Sequence, residues 1–227
     1  MPDSKVPDRP LSTEAAASGA RPGGKGRVAA VVGLSLLEVI RALDLPTEVL
    51  ASEDPTQTMP RRLGLSDVVD QQIRLFREQV RRRERITDKQ AQDLFHLVLR
   101  RPDSEEAFLN AGELLAGTSK PLKGFQRFYP EKAQYSLARR LTRRRVQSLF
   151  GRSIGGFSHG AFTLEARGHF LLEMDPGGDA CALLTGLAQA VLSRCMRRSI
   201  RVRHTTCEAR KQELCRWVMS EPEKPYS

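Results

Sequence analysis

DACALLTGLAQAVLSRCMRRSIRVRHTTCEARKQELCRWVM, residues 179–219, is the stretch whose reading decides the fold. From about Ala180 to Arg197 it reads as a helix, and Ala182, Gly186, Ala188 and Ala190 are small enough to let that helix lie close against a sheet. Ile200, Val202 and His204 then alternate as one strand. Leu214 to Met219 forms another, paired to the first through the turn Glu208–Glu213. Helix followed by hairpin is the C-terminal unit from which the rest is read outward.

Immediately upstream, Gly177-Gly178-Asp179 leads into the helix. Before it, Ile154–Phe157, Ala161–Ala166 and His169–Met174 are short β-prone segments separated by glycines, which predicts a meander. Further upstream the periodicity is helical. Pro130 opens a long helix from Glu131 to about Phe150, with Tyr135, Ala138, Leu141 and Leu149 on one side. Asp103 with Glu106 starts a helix through Leu115 that Gly117 closes, and Thr87 with Gln90 forms a capping box for a helix that runs into Pro102. Ser66 starts a helix striped by Val69, Ile73, Phe76 and Val80 and ended by Arg81, Arg82 and Arg83. Val32, Leu36, Val39, Ile40 and Leu43 make one amphipathic helix of residues 27–43, either a docking element or a helix packed on its own domain. The element order, helices and then β-β-β-α-β-β, predicts an α+β domain with helices packed on an antiparallel sheet.

Residues 1–26 hold almost no large apolar side chain and read as a disordered tail; 51–62 is a polar, proline-containing linker closing the unit 27–62, and 221–227 is a second tail. The folded domain therefore spans 63–220, with 63–117 either part of it or a separate helical module. The most apolar N-terminal run, Val28 to Leu37, is about ten residues against the ~20 a membrane helix needs. It lies too far from Met1 for an ordinary signal peptide, and the cytoplasm is the expected compartment. The chain carries 37 basic and 27 acidic residues, a net charge of +10.

Four cysteines in 227 residues are too few for a secreted disulfide framework. Cys181 sits at a helix N-terminus, where backbone N–H groups favour thiolate, and Cys207 and Cys215 bracket the hairpin turn. With His204 three residues before Cys207, the set reads Cys-x22-His-x2-Cys-x7-Cys, a Cys3His count suited to a closed tetrahedral zinc site. Residues three apart on a regular strand point to opposite faces, so His204 and Cys207 require a bulge or turn at Thr205-Thr206. Three buried thiols and a strand histidine without metal remain the alternative. Cys195, inside the helix, reads as a core or surface residue.

The stretch Asp179–Met219 resembles the end of a 4-vinyl-reductase-like domain, a hydrocarbon-binding family related in fold to the small subunits of the TRAPP vesicle-transport complex. Cys181, Gly186, Thr205, Cys207, Cys215 and Trp217 fit its pattern, while the turn Glu208–Glu213 departs from the usual Gly and Asp. In ligand-sensing members three cysteines and an acidic residue hold zinc; His204 stands at that acidic position here. The resemblance covers about forty residues well, is only architectural over Glu131–Met174, and is absent over the first hundred or so. It implies a structural Zn2+ held by Cys181, His204, Cys207 and Cys215, stapling a hairpin that closes an apolar pocket. It further implies an apolar or aromatic small molecule or a lipid chain as ligand. Phe157, Phe162, Leu164, Phe170, Leu172 and Trp217 are the pocket candidates, although an aromatic in a strand is more often core than ligand-contacting. His159 and His169 flank the meander as surface or turn residues, or as contacts to a phenolic or carboxylate group.

No Gly-x-Ser-x-Gly, phosphate loop, His-Glu-x-x-His or Gly-x-Gly-x-x-Gly occurs, and no carboxylate pair stands out, so no enzyme is read. The expectation is a non-catalytic sensory or scaffold domain that forms a homodimer or engages a partner protein. The rival is a phosphate-binding surface for nucleic acid or anionic lipid. It rests on Arg139, Arg140, Arg143, Arg144 and Arg145 in one helix and Arg197, Arg198, Arg201 and Arg203 around one strand.

Overall fold

A computed structural model describes residues 27–44, 67–117, 130–158 and 162–220. The tails 1–26 and 221–227, the linker 51–62, the Ser66 helix start and His159 lie outside them. Seven α-helices and two antiparallel sheets are found among the described residues, an α+β architecture. The helices are α1 (Ala30–Leu43), α2 (Asp67–Arg81), α3 (Asp88–Leu99), α4 (Ser104–Gly117), α5 (Glu131–Phe150), α6 (Phe170–Met174) and α7 (Cys181–Met196). Strands β1 (Val28–Ala29) and β2 (Arg85–Ile86) form a small ladder. Strands β3 (Gly156–Phe157), β4 (Thr163–Ala166), β5 (Arg201–Thr206) and β6 (Cys215–Ser220) form a sheet in the order β3-β4-β6-β5.

Local signals account for the helix ends. Thr87 caps α3 reciprocally with Gln90, Oγ1 accepting from the Gln90 N–H while the Gln90 side chain accepts from the Thr87 N–H. Pro130 precedes α5, and Gly151 ends it in the left-handed conformation. The helix starting at Arg27 begins later than its periodicity implied, because Val28 and Ala29 pair with Ile86 and Arg85 before α1 starts. Helix α1 is buried on most sides against α2 and α4, so it packs on its own fold. One continuous apolar core runs from Val28 to Trp217.

The third strand of the expected meander is a helix. Phe170-Leu171-Leu172-Glu173-Met174 contains no β-branched residue, and Phe170, Leu171 and Met174 at i, i+1 and i+4 bury one helical face. The Phe170 ring packs 4.5 Å from Phe150 on α5. Among the described residues, 154–166 therefore supply only two short strands, and β6, the last of the described strands, lies between β4 and β5.

The small face of α7 meets another helix as well as the sheet. At Gly112 of α4 an added Cβ would lie 2.1 Å from the Leu183 carbonyl oxygen, and at Gly186 of α7 one would lie 2.0 Å from that of Leu109. The two backbones touch at these glycines, which brings the α7 N-terminus to a defined place beside β5 and β6.

Candidate metal centre

The start of α7 is shaped by a buried carboxylate. Asp175 Oδ1 accepts from the Gly177 N–H at 2.8 Å and Oδ2 from the Ala180 N–H at 2.7 Å, which holds the turn that presents Cys181. Gly178 in this turn has φ +91°, and a Cβ there would sit 2.7 Å from Cys207 Sγ. Glycine is thus required twice, by the backbone and by the space the sulfur occupies.

The hairpin supplies the other donors. The register between β5 and β6 shifts between His204 and Thr206, the irregularity that the His204–Cys207 spacing demands. His204 pairs across the ladder with Trp217, and its ring stacks on the indole at 4.7 Å and 14°. After Cys207 the chain makes a 3-10 turn, Glu208–Arg210, whose end is tied back by Arg210 N–H and Gln212 N–H to the Cys207 carbonyl. The Glu208 N–H donates to Cys215 Sγ at 3.3 Å. Backbone donors aimed at sulfur favour thiolate over thiol.

The ligand atoms of Cys181, His204, Cys207 and Cys215 all lie within 4.8 Å of one another, with the three cysteines buried and His204 half-buried. Zn–S bonds of about 2.3 Å and Zn–N bonds of about 2.0 Å place tetrahedral donors roughly 3.5–3.8 Å apart, so contraction by about an ångström completes the site. The donor set fits zinc: no disulfide consumes these thiols, and His204 Nε2 is buried without a hydrogen-bond partner. Hydrogen bonding, first from the Cys181 thiol and also from the Glu208 N–H, holds Cys215 well below the ordinary thiol range against its burial. Reciprocally, Cys181 is pushed far above the ordinary thiol range by its bond to Cys215 and by burial, and Cys207 is raised by burial. A divalent cation bound among them would stabilise all three as thiolates. Cys195 stands apart in the core, its thiol raised to about 11 by burial.

His169, read from the sequence as a surface or turn residue or a contact to a phenolic or carboxylate group, is instead buried beside the cluster. It is only 5% exposed, and its Nε2 lies 4.0 Å from Cys181 Sγ. No periodicity marked it, because its burial follows from the turn into α6.

The pocket candidates are core. Phe162, Leu164, Phe170 and Trp217 are buried, while Phe157 and Leu172 pack half-buried against them. A cleft of about 1020 Å³ opens instead between the N-terminal end of α4, α7 and β5, with His204 in its wall. Its floor is internally paired: Ser104 Oγ donates to Asp179, and Gln189 bridges Glu113 and the Val202 N–H. The arginine row of α5 divides. Arg140, Arg143 and Arg144 are exposed, whereas Arg145 turns inward, Nε donating to the Leu115 carbonyl at 2.9 Å at the end of α4. Arg198 pairs with Glu131 at 3.1 Å.

No helix of the described residues is long and apolar enough to cross a membrane. No protein-family model, curated protein or solved structure matches the chain.

Gly178→Ala is expected to weaken metal binding about ten- to a hundredfold. The unfavourable backbone alone costs about 1–3 kcal/mol, each 1.4 kcal/mol is about a factor of ten, and the new Cβ displaces Cys207 Sγ. Competition with a chromophoric chelator measures this; an affinity within about twofold of the parent would show that the turn does not shape the site.

Proposed function

We propose that this chain is a non-catalytic binding or scaffold domain stapled by zinc, of the 4-vinyl-reductase-like type. The observation that carries the reading is the convergence of three cysteine sulfurs and the His204 ring within 4.8 Å, across a helix start and a bulged hairpin. Zn2+ held by Cys181, His204, Cys207 and Cys215 has four protein ligands. No position is then left for water or substrate, and the ion supplies cross-linking free energy rather than Lewis-acid catalysis. The staple fixes β6 in the middle of the sheet and the start of α7 against it. An apolar molecule or lipid chain would bind between sheet and helices, entering where half-buried Phe157 meets Phe162 at 5.1 Å. With that space closed by packing, the same rigid sheet serves as a scaffold for a second copy or a partner protein.

A second reading, phosphate binding, draws on exposed Arg140, Arg144, Arg201 and Arg203, none of which has a carboxylate partner among the described residues. The two readings separate in one preparation. Protein purified without added metal is expected to hold one zinc per chain and to yield an apolar molecule on solvent extraction, or to elute as a defined oligomer. A zinc content far below one, with Cys207→Ser leaving the melting temperature unchanged, would remove the staple. Tight binding to random duplex DNA that collapses with added salt would favour the arginine surface.

A further inference from the structure

We propose that His169 is a fifth, outer member of the metal centre, its Nε2–H donating to the Cys181 sulfur and so orienting the thiolates without binding the metal. This rests on the zinc reading above. The imidazole is buried, and burial of an unpaired polar ring is costly. Its one hydrogen-bonding neighbour among the described residues is a sulfur: Nε2 is 4.0 Å from Cys181 Sγ, while Nδ1 has no partner. The mutually close donor set does not include it, and four donors already complete a tetrahedron.

The fold holds this ring as deliberately as it holds His204. Both imidazoles contact the same indole: His204 stacks on Trp217, and His169 meets it edge-on at 5.6 Å and 60°. The Trp217 Nε1–H in turn donates to the Cys181 carbonyl at 3.4 Å, so one side chain positions both histidines and the first cysteine. The loop before His169 is tied to the turn between Cys207 and Cys215, because Glu208 Oε2 accepts from the Gly168 N–H at 2.8 Å. An N–H placed on a metal-bound thiolate draws off charge, strengthens retention of the metal and lowers the nucleophilicity of the sulfur.

Full-length protein loaded with Co2+ tests this, since tetrahedral cobalt–thiolate sites absorb in the visible and near ultraviolet. His169→Leu fills the space without a donor, and His169→Gln restores an N–H. The leucine variant is expected to keep one cobalt and the tetrahedral bands, with the sulfur-to-cobalt charge-transfer band at lower energy. Its metal affinity should fall about tenfold, and alkylation of the bound thiolates by iodoacetamide should speed up several-fold. The glutamine variant should lie close to the parent in all three, whereas His204→Ala should lose the tetrahedral bands. Loss of those bands in His169→Gln or His169→Leu would make His169 an inner ligand and overturn the assignment. Parental band position, affinity and alkylation rate in the leucine variant would make it a bystander. A parent protein that takes up no cobalt would overturn the zinc reading itself, a result distinct from either.

Discussion

Cys215→Ser is expected to empty the metal centre and to lower the melting temperature by about 10–20 °C. Cys215 is the first residue of β6 and is fully buried, and it receives the Glu208 N–H as well as the neighbouring thiol. Serine offers an oxygen that ligates zinc poorly and leaves Cys181 and Cys207 as buried thiols without a cation. Structural zinc contributes about 10–16 kcal/mol of apparent binding free energy in small domains. If about 5 kcal/mol of that stabilises this larger fold, each kcal/mol is worth roughly 2–4 °C at this chain length. Elemental analysis and calorimetry measure the two effects together. Cys195→Ser is the control: also buried, outside the cluster, and expected to cost only about 1–3 kcal/mol with the metal retained. Equal losses in the two variants would show that the sulfurs act as ordinary core residues.

The same centre sets a direction with pH. Zinc requires ionised sulfurs, so in the loaded folded state the thiol pKa values lie below their unfolded values. The stabilisation is therefore present at high pH and lost as pH falls and protons compete for the sulfurs. Acid should release metal and hairpin order in one step, followed by the emission of Trp217, the single tryptophan of the chain.

Gly112→Ala and Gly186→Ala are each expected to destabilise by about 3 kcal/mol or more, which corresponds to about 6–12 °C. Helix propensity alone predicts the opposite sign, since alanine in a helix interior is better than glycine by about 1 kcal/mol. The crossing of α4 and α7 reverses it. The new methyl groups would meet carbonyl oxygens at 2.1 and 2.0 Å, and backbone cannot swing aside as a flexible side chain does. The helices must separate, carrying Cys181 away from the hairpin. Gly156→Ala, where an added Cβ meets nothing within 4 Å, should change stability by less than about 0.5 kcal/mol. Thermal unfolding of the three variants decides the matter, and a rise in melting temperature for either helix glycine would contradict the close crossing.

Much of the fold was legible locally. The Thr87–Gln90 box, Pro130 before the long helix and the C-terminal hairpin follow from backbone chemistry within a few residues, and the structure has each of them. The segment 169–174 misled because six residues with mixed apolar content suit a short strand or one helical turn equally. Its packing against Phe150, 20 residues earlier, selects the helix. Gly186 was readable as a close-approach residue, but Gly112 as its counterpart was not, since nothing local relates two helices some 70 residues apart.

The amino-acid sequence by itself determined the donor types, their order and the need for a bulge between His204 and Cys207, because ligand chemistry and strand periodicity are properties of neighbouring residues. Tertiary structure alone decided that Cys181 reaches the hairpin, that Gly178 leaves room for Cys207 Sγ, and that His169 turns inward onto the sulfurs. Those placements depend on the α4–α7 crossing and on Trp217 at the sheet's centre, contacts between distant segments whose geometry is set by packing and leaves no local pattern.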